Sequence, residues 1–205
     1  MRSVVTSSLT ISKIKMMSPN INDAIEVLLN NFEKFCESGE AFESYALYQR
    51  LTMDVIVRTA FSFQTDIQIN PQSSFYNLFV NREATENVQY ENIFIPKGMS
   101  IQVPVYWLHR DPDNWENPEE FRPERFAPEN GNKHNPLSWQ PFGVGPRNCV
   151  GMRFAMMETK LVLARLLQKY RILPCEKTDK HPIRLKPTPV FIKPKYGANV
   201  KLERC

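Results

Sequence analysis

The residues best suited to chemistry are the ten from Phe142 to Gly151, Phe-Gly-Val-Gly-Pro-Arg-Asn-Cys-Val-Gly, which hold three of the chain's seven glycines, one fixed cation and one thiol. Glycine permits positive φ and lets a flat ligand approach the main chain closely, while Pro146 stiffens the turn. Cys149 is expected at the entry to a helix, where free backbone N–H groups and the positive end of the dipole stabilise a thiolate. Two residues earlier, Arg147 offers a guanidinium suited to a carboxylate. The chemistry on offer is a thiolate beside an anchored carboxylate. Taken without its neighbours, Cys149 reads instead as a small buried hydrophobe.

The elements that must position this stretch follow from periodicity and proline. Only Pro19 precedes residue 70 and the other fifteen prolines follow, so helices are predicted in the first part and loops or strands in the second. Ile14, Met17, Ile21, Ile25, Leu28, Phe32 and Phe35 recur at three and four, a helical face with Ser18 and Pro19 as N-cap and first turn and Gly39 as the stop. A second helix is expected over Tyr45 to Ala60, with Tyr48, Leu51, Val55 and Thr59 on one face and Met53 and Phe61 as core residues. Ile93-Phe94-Ile95 and Ser100 to Val103 read as two short strands around Pro96-Lys97-Gly98.

From Asp111 to Pro146 seven prolines alternate with Trp115, Phe121, Phe126, Trp139 and Phe142, which predicts an ordered loop wrapped on a core. The helix receiving Cys149 is expected over Val150 to Tyr170. Its buried stripe is predicted as Val150, Phe154, Met157, Leu161, Ala164 and Leu167, and Pro174 closes it. Short runs near Ile183 to Leu185, Val190 to Ile192 and Val200 to Leu202 suggest a terminal hairpin region.

At 205 residues, 42% hydrophobic and 23% charged, the chain has a globular profile rather than a disordered, collagen-like or membrane-spanning one. A formal net charge of +4 without a basic run gives no expectation of nucleic-acid binding. Cys36, Cys149, Cys175 and Cys205 form no C-x-x-C pair, so neither a disulfide framework nor a zinc ribbon is expected, and a reducing, cytosol-facing setting is. His109, His134 and His181 lack metal-ligand spacing and read as surface or loop residues. No run approaches a transmembrane helix and the first residues lack a signal-peptide core, so neither an anchor nor a targeting segment is expected in the chain.

Phe142 to Gly151 matches F-x-x-G-x-R-x-C-x-G at its five fixed positions and resembles the haem-binding loop of the cytochromes P450. Phe121-Arg122-Pro123-Glu124-Arg125-Phe126 is similar to the family's PERF segment. Ile95 to Gly98 and Leu108-His109-Arg110-Asp111-Pro112 are similar to its preceding strand turn and short helix. Cys149 to Ala155 resembles the microsomal, drug-metabolising branch.

The resemblance implies a mainly α fold with small β elements, an incomplete P450 fold. Residues 1–80 would correspond to helices C to E, and residues 81–205 to late β strands, PERF loop, cysteine loop, helix L and a C-terminal hairpin. It implies haem b with Cys149 as axial ligand to the iron, Arg147 on a propionate, Phe142 shielding the sulfur, and Gly145 and Gly151 leaving room for the macrocycle. In the same register Arg2 and Arg82 fall where further propionate arginines sit.

The implied reaction is monooxygenation of an apolar substrate, with electrons from NADPH delivered by cytochrome P450 reductase at the cytosolic face of the endoplasmic reticulum membrane. The loops at Arg110 and Lys133 are the expected reductase-facing surface.

Departures from the family pattern are equally specific. Between Phe79 and Glu83 the chain is expected to jump from the helix E region to a late strand, leaving no counterpart of helices F to K. The acid–alcohol pair of helix I, and with it any catalytic residue, is not found. The one E-x-x-R, Glu119-Glu120-Phe121-Arg122, lies in the proline loop rather than on a helix K, so Arg125 is expected to lack its usual partners. An inactive fragment or splice-type product is therefore the alternative to an active enzyme. A zinc-binding or interaction module using Cys149 is a weaker third reading.

Overall fold

The computed structural model describes residues 9–61, 68, 82–130, 134–180, 183–187 and 192–205. The first part holds α1 (Ile11–Met16), α2 (Ser18–Ser38), β1 (Phe42–Glu43) and α3 (Ser44–Phe61). Next come β2 (Arg82–Glu83), β3 (Val88–Tyr90), β4 (Ile93–Ile95), β5 (Ser100–Ile101) and α4 (Val105–Leu108). Three 3-10 turns, Pro123–Phe126, Pro128–Asn130 and Pro136–Ser138, punctuate the proline stretch. The chain ends with α5 (Met152–Lys169), β6 (Tyr170–Leu173), β7 (Leu185–Pro187), β8 (Ile192–Pro194) and β9 (Asn199–Arg204). The architecture is mainly α with small antiparallel sheets.

Two compact units divide the chain, one formed by residues 1–75 with 149–205 and the other by residues 76–148. The first holds the apolar core, in which Ile21, Ile25, Leu28 and Phe32 of α2 meet Leu51 and Val55 of α3, Val162 and Leu166 of α5, and Phe42, Tyr170 and Leu202 of the sheet. Three- and four-residue spacing puts these α2 side chains on one stripe, and their burial supplies the driving force for packing. β9 is the middle strand of a three-stranded antiparallel sheet, order β1-β9-β6.

Caps set the boundaries. Thr10 caps α1 by accepting from the Lys13 N–H, and the chain turns at Met17 before α2. Ser18 is not the acceptor cap expected for it, because its hydroxyl donates to the Lys15 carbonyl at 2.8 Å. Gly39 ends α2 at φ 66°, its N–H on the Phe35 carbonyl, in the left-handed conformation that favours glycine. Glu43 caps α3 by accepting from the N–H groups of Tyr45 and Ala46, both at 2.9 Å, and of Ala198 at 3.0 Å.

Other expectations need correction. α5 begins at Met152 and ends at Lys169, where the chain becomes strand β6 before reaching Pro174. Its buried stripe is Phe154, Glu158, Val162 and Leu166, so Leu167 and Val150 face outward. Residues Ile93–Ile95 and Ser100–Ile101 are strands, but they pair with β3 and β2 and not with each other. The terminal runs split between the β7–β8 hairpin and β9. Val190, Phe61's side chain, and the Phe79 side of the expected junction lie outside the described residues.

In the second unit the proline stretch folds around Trp115, which is 3% exposed and donates through Nε1 to the Leu108 carbonyl at 3.1 Å. Phe126, Trp139 and His134 pack within 6.0 Å of its ring centroid. Arg125 of the PERF turn donates to the main-chain carbonyls of Glu116, Asn117 and Glu120. Carbonyls of its own loop thus serve Arg125, whose usual family partners the sequence is expected to lack.

Candidate functional site

In the second unit, the glycine-rich loop starts at Gln140, whose carbonyl accepts the Gly143 N–H at 3.1 Å. Gly143 and Gly145 adopt φ 71° and 80°. Open space surrounds Gly145, so conformation rather than crowding calls for glycine there. The Asn148 N–H closes the next turn on the Gly145 carbonyl at 3.0 Å. Phe142 is half-buried, and Arg147 is exposed. Arg82, on β2, donates through Nη2 to the Arg147 carbonyl at 2.9 Å. Two of the three predicted arginines are therefore tied together; Arg2 lies outside the described residues.

In the first unit, Cys149 is exposed. Two turn residues, Val150 and Gly151, separate it from the first residue of α5, and the Met152 N–H points to the Cys149 carbonyl at 3.5 Å. The thiol thus stands farther from the helix than its sequence position suggests, and the dipole contributes less there because its effect fades beyond the terminal turn. A Cβ at Gly151 would lie 3.9 Å from the Cys149 sulfur, an ordinary contact distance.

Other polar groups were illegible in the sequence. Glu158 lies in the buried stripe of α5, where burial pushes its carboxyl above the ordinary range against a hydrogen bond from Thr52. Asp54, fully buried on α3, accepts from Arg58 Nε at 2.7 Å and Gln68 Nε2 at 2.6 Å. Gln68 also donates to the Ala24 carbonyl, tying α3 to α2. A hydrogen bond from Thr178 chiefly holds the Cys175 thiol below its usual range.

His109 and His134 lie in turn and loop segments and pack in the aromatic cluster; His181 lies outside the described residues. Arg110 stacks over Tyr106 at 4.1 Å and faces Glu119 at 3.6 Å, while Lys133 lies outside the described residues. Among the described residues no three His, Cys, Asp or Glu side chains are grouped to hold a metal ion, and no helix is long and apolar enough to cross a membrane.

The cytochrome P450 family model matches residues 72–202, well over half of the chain and all of the glycine-rich loop. The chain belongs to the cytochrome P450 family. Among its relatives, cytochrome P450 3A29 of Sus scrofa is 46% identical over 116 residues, covering 56% of this chain and 23% of that protein. Lithocholate 6-beta-hydroxylase of Mesocricetus auratus is 42% identical over 133 residues, covering 64% of this chain and 26% of that protein. Cytochrome P450 3A18 of Rattus norvegicus is 42% identical over 128 residues, or 62% and 26%. These similarities agree with the expected microsomal, drug-metabolising branch of the P450 family. This P450 chain spans about a quarter of the length of those relatives.

The donor set suits a haem-thiolate group. In the first unit the exposed Cys149 sulfur is a soft donor of the kind an iron thiolate needs, and in the second unit Arg82 and Arg147 are cations of the kind carboxylates need.

Proposed function

We propose that this chain carries a haem-thiolate site for P450-type monooxygenation of an apolar organic substrate, with haem b bound through Cys149. The supporting observation is the exposed Cys149 sulfur, two residues before Gly151 in the glycine-rich sequence that the cytochrome P450 family model covers. When bound, the haem supplies activation of dioxygen and insertion of one oxygen atom. Cys149 would hold the iron as thiolate, and Arg147, Arg82 and Arg2 would hold the propionates. With haem in place, Phe142 would shield the sulfur and Gly145 would leave room for the macrocycle. NADPH-cytochrome P450 reductase is the electron source in this reading, at the cytosolic face of the endoplasmic reticulum membrane.

The residue assignments are tested by haem titration of the purified chain, followed by absorbance. Cys149→Ala is expected to abolish the thiolate-type Soret band. Arg82→Ala and Arg147→Ala are expected to weaken haem uptake roughly tenfold each, the scale of a charge-assisted hydrogen bond. A thiolate-type band that survives Cys149→Ala removes Cys149 as the ligand.

A further inference from the structure

We infer that His109 is a positioning residue for the cysteine-bearing loop, a neutral imidazole whose Nε2 accepts the Gln140 N–H at 2.8 Å and fixes where the loop leaves the aromatic cluster. Its functional meaning rests on the haem-thiolate reading; the contact itself does not.

Several observations converge on this role. The imidazole lies 4.4 Å from the Trp139 ring, which packs 4.8 Å from Phe126. His109 sits at the end of α4, its own N–H on the Val105 carbonyl at 3.0 Å. One side of the ring is thus set by a helix end and another by an indole. Gln140 is the partner that matters for the loop: Pro141 has no N–H, so Gln140 carries the last main-chain donor before Phe142. Its carbonyl and side-chain amide are also engaged, with the Gly143 N–H at 3.1 Å and the Leu137 carbonyl at 2.6 Å. An N–H pointing at Nε2 requires that nitrogen to be unprotonated, which places the ring proton on Nδ1.

The imidazolium cannot make this contact, because both of its nitrogens are donors. Burial and the neighbouring Arg110 charge hold His109 below the ordinary imidazole range, which favours the acceptor form at neutral pH. The surrounding charges are otherwise committed. Arg110 lies over Tyr106 and faces Glu119, and Asp111 accepts from the Asp113 N–H and the Asn114 amide. His134 is held on the far side of the cluster, with Nε2 3.1 Å from the Arg125 carbonyl. Protonation of His109 should therefore release the start of the loop.

The test is nuclear magnetic resonance of the chain without added haem, so that its outcome is independent of haem uptake. In wild type, His109 is expected as the Nδ1–H tautomer at neutral pH. The Gln140 amide protection factor should fall about tenfold, the scale of one hydrogen bond, as the His109 ring itself titrates. In His109→Gln, whose amide oxygen can occupy the Nε2 position without titrating, protection should persist through the same pH range. In His109→Ala it should be low throughout. An Nε2–H tautomer, a protection factor that does not follow the His109 titration, or the same pH-dependent loss in His109→Gln would overturn the assignment, and the tautomer measurement decides even if both variants fail to fold. Haem binding measured separately leaves this result untouched, so failure of the cofactor reading and failure of the His109–Gln140 contact are told apart.

Discussion

Arg82 and Glu158 show what single residues disclose before folding. Arg82 stood out in the sequence only through its register with a known family, and the fold gives it a definite task, holding the Arg147 carbonyl at 2.9 Å. Arg82→Lys should not restore what Arg82→Ala loses, because an ammonium lacks the planar fork that reaches a carbonyl beside a charged neighbour. Haem titration of both variants checks this.

Glu158 was hidden because helical periodicity is read from apolar residues. The stripe through Phe154, Met157, Leu161 and Ala164 and the stripe through Phe154, Glu158, Val162 and Leu166 both fit a helix, and only packing chose the second. With its folded-state affinity for protons raised by burial, Glu158 contributes most stability below its unfolded value and loses it as pH rises through the folded one. Glu158→Gln should raise the melting temperature at neutral pH, by on the order of 1 kcal/mol in stability, and flatten its decline from acidic to neutral pH. Thermal unfolding across that range is the measurement.

At the scale of elements, caps and pairings carry the account. Gly39 and its left-handed turn were legible from the residue type alone, as was the extent of α3 within a residue or two. Strand partners were not. Alternation and turn residues locate β4 and β5, but the partner of each is supplied by β3 and β2, segments whose own signals are two or three residues long.

The N-cap of α3 also escaped the sequence reading, since glutamate just before a helix is not a preferred cap type. Its carboxylate nevertheless accepts from Tyr45, Ala46 and Ala198, joining the helix start to the turn before β9. Glu43→Ala should cost about 1–2 kcal/mol, readable by denaturant titration. Gly197→Ala should disturb the same cap, because at φ 75° a new Cβ would fall 2.7 Å from Glu43 Cγ.

Across the whole molecule, the apolar core belongs to the unit formed by residues 1–75 and 149–205. Leu166→Ala, which removes a fully buried side chain there, should cost about 2–5 kcal/mol. The unit of residues 76–148 is organised differently, by one buried tryptophan, an aromatic cluster and main-chain acceptors around Arg125. Ile93, Phe94, Trp107 and Phe121 of that unit are more than half exposed.

The family was legible because ten consecutive residues carry its loop; the division into units was not, because Cys149 closes a loop that belongs to one unit and opens a segment that belongs to the other.

Thiolate ligation of haem by Cys149 is the feature on which the proposed function stands. The direct measurement is the carbon monoxide difference spectrum of the chain after haem addition and reduction, recorded beside Cys149→Ala. A thiolate-type Soret band is expected in the wild-type chain, with its loss in the variant. No haem uptake by the wild-type chain, or a carbon monoxide spectrum without thiolate character, would contradict it and leave the inactive fragment as the reading of this chain.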